Sequence, residues 1–250
     1  MEEQRREISL KALARLGGLL YLIIIVLGLF GEAVVRDKLI VGGSAAATAE
    51  NIRSFELLWR LGTAGNLVHL VCAVALTLIF YILLRVVSRD LALLLVFFDL
   101  ISIGIEATSK LSLVAGLFPL SNAEYLKAFE PAQLQVLAYL AIRQHGYGFG
   151  ISLIFFGCAC FIIGYLIFRS GFLPKAIGVL MQIAGVCYLT NSFALILSPE
   201  FAGWIFPVIL IPAFVGEASL CLWLIAKGID VDKWRTWVVA QTGRATTASV

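Results

Sequence analysis

Glu32, Asn66, His69, Asp99, Glu106, Lys110, His145, Asn191 and Glu217 stand inside stretches of sequence that are otherwise almost wholly apolar. A charge near the centre of a membrane helix costs about 2.5–3.5 kcal/mol on insertion scales, so residues of this kind face a protein interior or a functional cavity. Their types set the chemistry they can do. Buried carboxyls exchange protons or hold cations, and imidazoles titrate near neutral pH. The same nitrogen and oxygen donors are those of a metal site, where a metal-bound water could hydrolyse a lipid or prenyl substrate. The chain has only two histidines, however, and no HExxH or comparable pair on one helix turn. No metal and no cofactor is therefore expected. A metal or a haem would require His69 and His145, with Glu217, to converge. A Ser/His/Asp or Cys/His triad is set aside, because no nucleophile motif accompanies either histidine.

Helical spacing groups these residues. Asn66, His69 and Thr77 share a stripe through Ala73, while Asp99, Ser102, Glu106 and Lys110 share another, with Glu106 and Lys110 an i,i+4 pair in the favourable order. Two such stripes on consecutive antiparallel helices are expected to face each other. At about 1.5 Å per residue, Glu32, Lys110, His145 and Asn191 fall near the outer ends of their spans, with Asp99 and Glu217 near mid-membrane. The expected picture is a polar cup opening outward, with acids toward its floor. His145-Gly-Tyr-Gly-Phe-Gly150 reads as a flexible or tightly packed entry to its span; no strand precedes it, which argues against a phosphate loop. Pro207 and Pro212 ahead of Glu217 predict a kink whose freed carbonyls surround the carboxyl, as in transporter binding sites.

The elements that must position these groups follow from composition. Of 250 residues, 61% are hydrophobic and 14% charged, with a mean hydropathy of +0.98, far from globular averages. A soluble domain of this size has too much boundary to hide that much apolar surface. The chain is expected to be all-α, a polytopic membrane protein with a six-helix transmembrane bundle. Six runs, at about 13–35, 61–84, 91–114, 148–168, 174–197 and 204–226, approach or exceed the roughly 20 residues that cross a bilayer. They are too long and too uniformly apolar for barrel strands. Residues 1–12 and 229–250 become cytoplasmic segments flanking a single domain over 13–228.

With the N-terminus inside, Lys and Arg divide twelve against seven in favour of the cytoplasmic side, which places both termini there and the chain in the cell inner (plasma) membrane. The first run is too long for a signal peptide and is read as retained. Trp204, Trp234 and Trp237 are expected as interfacial anchors. Segments 45–58 and 131–143 have amphipathic spacing and read as two short outer helices, acting as lids or resting at the interface. The five cysteines all fall in spans as small packing residues. A net charge of +3 asks for no partner beyond the lipid bilayer and its headgroups, and no basic patch with interleaved aromatics points to nucleic acid. No particular oligomeric state is signalled.

The pattern Ala14-Arg-Leu-Gly-Gly-Leu-Leu-Tyr-Leu22, then Gly31-Glu32-x-x-x-Arg36 and Ala46-Ala-Thr-Ala-x-Asn51-Ile, resembles a bacterial family of integral membrane proteins catalogued as a domain of unknown function. Later blocks agree: Phe155-Phe-Gly157, Gly164-Tyr-Leu-Ile-Phe-Arg-Ser-Gly-Phe-Leu-Pro174, Pro212-Ala-Phe-x-Gly-Glu217, Leu222-Trp-Leu224 and Lys227-Gly228. The resemblance covers nearly the whole chain, from Lys11 to Trp234. It implies a polytopic membrane protein and no assigned activity. Its matching polar positions are Glu32, Arg36, His145, Tyr147 and Glu217, which adds Arg36 and Tyr147 to the candidates. The third span, around Asp99 and Glu106, departs from the family pattern and marks those two as particular to this chain.

The expected function is binding or transport of a small molecule or ion through an outward-facing intramembrane polar pocket. The alternatives are a structural or regulatory membrane subunit without a substrate, whose polar residues join helices, and a metal- or haem-dependent membrane enzyme. The absence of a catalytic motif leans away from the enzyme.

Overall fold

The computed structural model describes residues 2–247, with side chains described over 10–240. Every regular element among them is helical. α1 (Glu2–Leu29) runs directly into a π-helical segment, Phe30–Arg36, and a short α2 (Asp37–Leu39). α3 (Ala45–Ser54) follows, then α4 (Glu56–Leu84), α5 (Arg89–Ala115), α6 (Pro131–Ser170), α7 (Lys175–Leu197), α8 (Pro199–Ile205), α9 (Leu210–Ala226) and α10 (Val231–Thr247). Five helical stretches are long and apolar enough to cross a membrane: Leu10–Leu39 and helices α4 to α7, with the α5 stretch extending to Leu120. A sixth crossing requires α8 and α9 together, and these are bent by 56° at their break. The chain is a membrane protein, because such lengths of apolar helix with largely exposed flanks, Val71 and Leu222 among them, need lipid as solvent.

Six helices close into a ring. α1 packs on α4, α4 on α5, α5 on α6, α6 on α7, α7 on α9, and α9 returns to α1. Small residues set the closing seam: a Cβ on Gly18 would lie 2.7 Å from the Ile225 backbone nitrogen.

Three expectations are corrected. Segment 131–143 is no separate outer helix, because α6 runs unbroken for 40 residues, with Pro131 in its first turn and a capping box between Glu130 and Gln133. At about 1.5 Å per residue that is about 60 Å, so one end stands well clear of a hydrocarbon core about 30 Å thick. Segment 45–58 ends early: α3 stops at Ser54, Phe55 leaves helical geometry, and residues 56–58 open α4. The last span is not continuous over 204–226. Proline removes a backbone donor, and Pro207 sits in the break between α8 and α9.

α3 lies against the projecting part of α6, with Thr48, Ala49 and Ile52 turned inward. Ser44 caps it through the Ala47 amide, and the Gly43 amide donates to the Tyr139 hydroxyl of α6 at 2.9 Å. This is the α3 end of the ring. Its apolar cluster is Val35, Leu39, Ile52, Trp59, Leu113 and Ile142. A larger apolar cluster fills the opposite half, from Tyr21 and Leu76 to Leu166 and Ile229.

At that opposite, tail end, the chain turns at Gly228 (φ 68°) and enters α10. Trp234 and Trp237, expected as interfacial anchors, donate their indole N–H groups to Leu83 O at 2.9 Å and Ser170 O at 2.7 Å. These carbonyls lie in the last turns of α4 and α6, where backbone acceptors lose their helical donors. α10 thus ties helix ends together. Trp237→Phe is expected to cost about 1 kcal/mol, the net worth of one such bond, and to increase proteolytic cleavage between α9 and α10; an unchanged cleavage rate would contradict the tie. Asp230 accepts the Lys233 amide at 3.2 Å, which holds its carboxyl below the usual range. That cap is present above the ordinary aspartate range and is lost as pH falls through the lowered value.

Candidate functional site

The axis of the ring carries polar groups at two levels. The first lies beneath the α3-end apolar cluster. Arg36 comes from the π segment, Asn66 and His69 from α4, Glu106, Ser109 and Lys110 from α5, and His145 from α6. A π turn carries an extra residue relative to an α turn, and here it directs Gly31, Val35 and Arg36 inward together. Gly31 is required there: a Cβ would lie 2.7 Å from Asn66 Oδ1.

Within this level Lys110 Nζ lies 3.0 Å from Glu106 Oε1 and 5.0 Å from the Phe149 ring centroid. Arg36 Nε donates to Glu32 Oε2 at 2.7 Å, and Nη2 meets the other oxygen. The Glu32 side chain is 43% exposed whereas Arg36 is 8% exposed, so the pair spans from rim to interior. Glu106 also acts electrostatically on Arg36 and His69. His145 Nδ1 is 3.3 Å from Ser109 O and 3.2 Å from Ser109 Oγ. A carbonyl only accepts, so the geometry favours the proton on Nδ1 and an unprotonated Nε2. Of the four buried atoms of this level without a hydrogen-bond partner, Arg36 Nη2 and Glu106 Oε1 belong to ion pairs, whereas Asn66 Nδ2 and His69 Nδ1 have neither kind of partner among the described residues.

The second level draws one group from each of the six ring helices: Tyr21, Thr77, Asp99, Cys160, Tyr188 and Glu217. The Tyr188 hydroxyl donates to Glu217, and the buried Tyr21 acts electrostatically on the same carboxyl. Thr77 meets Asp99 and, at 2.8 Å, the Ala73 carbonyl. Cys160 is within electrostatic reach of both acids. Neither acid has an ion-pair partner among the described residues. The levels are electrostatically continuous, since Glu106 acts on Asp99 and Asp99 on Glu217.

The stripes expected on α4 and α5 therefore meet at Thr77 with Asp99, and His69 lies within electrostatic reach of Glu106. At the α3 end, where the cup is expected to open, the crevice beside Arg36 is closed. Trp59 donates its indole N–H to Leu113 O at 3.1 Å, and the crevice bounded by Val35, Arg36, Trp59, Gly62, Thr63 and Leu113 admits no water-sized sphere. His145 lies about 21 Å into α6, because that helix begins at Pro131, well ahead of the apolar run that opens at Gly148. Tyr147 lies outside the site: two residues beyond the inward His145 on a continuous helix, it turns outward and is 39% exposed. Asn191 is buried on α7 and makes no hydrogen bond to either level among the described residues. His69, His145 and Glu217 do not gather, and no group of three or more metal-ligand side chains forms among the described residues.

Tyr21 and Tyr188 were not among the expected site residues. Their signal was depth: a tyrosine far from either end of a span cannot place its hydroxyl at the interface and must find a polar partner inside. Glu217 was in view, and its partners on α1 and α7 are the tyrosines.

No solved structure matches this chain. An uncharacterised protein of Archaeoglobus fulgidus is 26% identical over 164 residues, which is 66% of this chain and 82% of that one. The likeness thus extends to an archaeon, beyond the bacterial setting suggested by the motifs. The family model described as Domain of unknown function (DUF4386) matches residues 16–228, and the chain belongs to that family.

Proposed function

We propose that the chain is a multi-pass protein of the cell inner (plasma) membrane, with both termini in the cytoplasm, that binds or transports a small molecule or ion through its central polar column. The observation that carries this reading is the pair of unpartnered buried atoms, Asn66 Nδ2 and His69 Nδ1, inside a layer that already contains Arg36, Glu106 and Lys110. Leaving a buried polar group unsatisfied costs about 1–3 kcal/mol. A column whose only task was to join helices would be more stable with those groups paired or replaced.

The second level supports a proton as the coupled ion. Thr77 has one hydroxyl hydrogen and two oxygen neighbours, Ala73 O and Asp99 Oδ2, so a protonated Asp99 completes the pattern. The apolar plug under α3 makes this an occluded arrangement. The π segment beside Arg36 and the 56° break before Glu217 are the joints at which it opens.

A structural or regulatory subunit is the second reading, favoured by the Glu106–Lys110 pair and by the two tyrosines on Glu217. Flux separates the two. Proteoliposomes containing a pH-sensitive dye, challenged with a panel of small carboxylates, amines and sugars, are expected to show solute-driven proton movement that Glu217→Gln lowers at least about tenfold, the equivalent of 1.4 kcal/mol. No response to the panel, or full flux in the variant, would contradict the reading.

A further inference from the structure

Beyond the central column, a cavity of about 350 Å³ opens at the tail end, where α1, α9 and α10 meet. Its volume is at the lower end of small-ligand pockets, about 300–1,000 Å³. Lys11 and Lys227 line it together with Asp230 and Asp232, and Trp223 and Phe172 form its aromatic walls. The cavity begins where the apolar run of α9 stops at Ala226, at the depth where lipid headgroups and tryptophans share the interface. Its walls are fixed. The Lys227 amide donates to Trp223 O at 2.8 Å, the Gly228 amide to Leu224 O at 3.1 Å, and the Asp230 amide to Phe172 O at 3.1 Å.

The charges define what fits. Neither lysine has an ion-pair partner among the described residues, so two ammonium groups are available to a phosphate. Asp230 is engaged by Lys233 at 3.2 Å, which leaves the Asp232 carboxylate as the acceptor for a second group. With Asp230 neutralised by Lys233, two ammonium groups and one carboxylate remain to face a guest. A purely anionic headgroup would gain the lysines but leave Asp232 without a cation, whereas a zwitterion with a phosphate and a hydrogen-bonding amine satisfies both sides. We propose that this cavity is a binding site for a phosphoethanolamine headgroup, with Lys11 and Lys227 on the phosphate and Asp232 on the ammonium.

Methylation tests the assignment, because a trimethylammonium carries the same charge but no N–H donor. The full chain, purified in detergent and mixed with equal amounts of phosphatidylethanolamine, phosphatidylcholine and phosphatidylglycerol, is expected to retain phosphatidylethanolamine about five- to tenfold over either competitor by native mass spectrometry, as one charge-assisted bond allows. Lys11→Ala with Lys227→Ala should abolish retention of phosphatidylethanolamine. Asp232→Asn should remove the preference over phosphatidylcholine while phosphate-dependent retention persists. Millimolar glycerophosphoethanolamine distinguishes the source: displacement of the lipid shows that the free headgroup suffices, and failure to displace it shows that the membrane lipid is the ligand. Equal retention of the three lipids, preference for phosphatidylglycerol, or selectivity that survives the double lysine variant would overturn the proposal.

Discussion

Lys110→Met alone is expected to destabilise the protein by about 3–5 kcal/mol, the usual cost of leaving one member of a buried ion pair without its partner. Lys110 is 2% exposed and its ammonium sits 3.0 Å from Glu106. With the cation gone, Glu106 keeps Arg36 and His69 within electrostatic reach but has neither at ion-pair distance, and Asp99 lies on its other side. Glu106→Gln should also destabilise, by leaving Lys110 without its carboxylate. The double variant, which removes both charges, is expected to recover most of the loss, since replacing a buried pair with uncharged groups is often neutral or better. Thermal unfolding in detergent of the four proteins measures the coupling. Additive single effects would mean that the two residues do not depend on each other. A folded double variant is also informative about function. If Glu106 and Lys110 only join neighbouring turns of α5, it keeps full activity; if they belong to the column's chemistry, it is stable and inactive.

Gly164→Val is expected to have an effect of similar size for a purely steric reason. α6 and α7 approach backbone to backbone through two reciprocal glycine pairs, Gly164 with Gly178 and Gly157 with Gly185, seven residues apart on each helix. A Cβ on Gly164 would lie 2.5 Å from Gly178 O and 2.6 Å from the Gln182 nitrogen, and one on Gly185 would lie 2.6 Å from Gly157 O. Backbone atoms cannot swing aside as a side chain can. Overpacking commonly costs about 1–3 kcal/mol, and this site belongs at or above the upper figure. Close small-residue contacts are a principal source of helix association in lipid, where burial of apolar surface adds nothing. Gly146→Ala is the control: its Cβ meets nothing within 4 Å, and it should stabilise α6 by about 0.5–1 kcal/mol. Loss of stability in both variants would point to helix propensity or insertion rather than packing.

Much of this was legible in the amino-acid order, and the failures have physical causes. The polar stripes of α4 and α5 were readable because 3.6-residue periodicity fixes relative direction along a helix, whatever the helix packs against. The length of α6 was not. Arg143, Gln144 and His145 resemble a span boundary by hydropathy, yet the helix continues: α3 packs on its projecting part, and the inward His145 meets Ser109 rather than lipid. The ring closure was also hidden. Which helices touch depends on glycines such as Gly18 against Ile225, whose partners lie two hundred residues away in sequence. The polar column combines these two kinds of information. Asp99 and Glu217 announce themselves as charges in apolar runs, but the hydroxyls that face them from α1, α4 and α7 become apparent only once the helices have an order.

The central claim is that this column opens to admit a guest, and solvent access at Asn66 tests it most directly. In a chain whose five cysteines are replaced by alanine, Asn66→Cys in oriented membrane vesicles is exposed to a membrane-impermeant maleimide from each side in turn. Labelling from the α3 side, faster in an α3-loosening Ser44→Ala background that removes the cap, is the predicted result. A thiol that stays unlabelled from both sides in folded protein, with and without Ser44, would contradict the account and leave the polar residues as the glue of a sealed bundle.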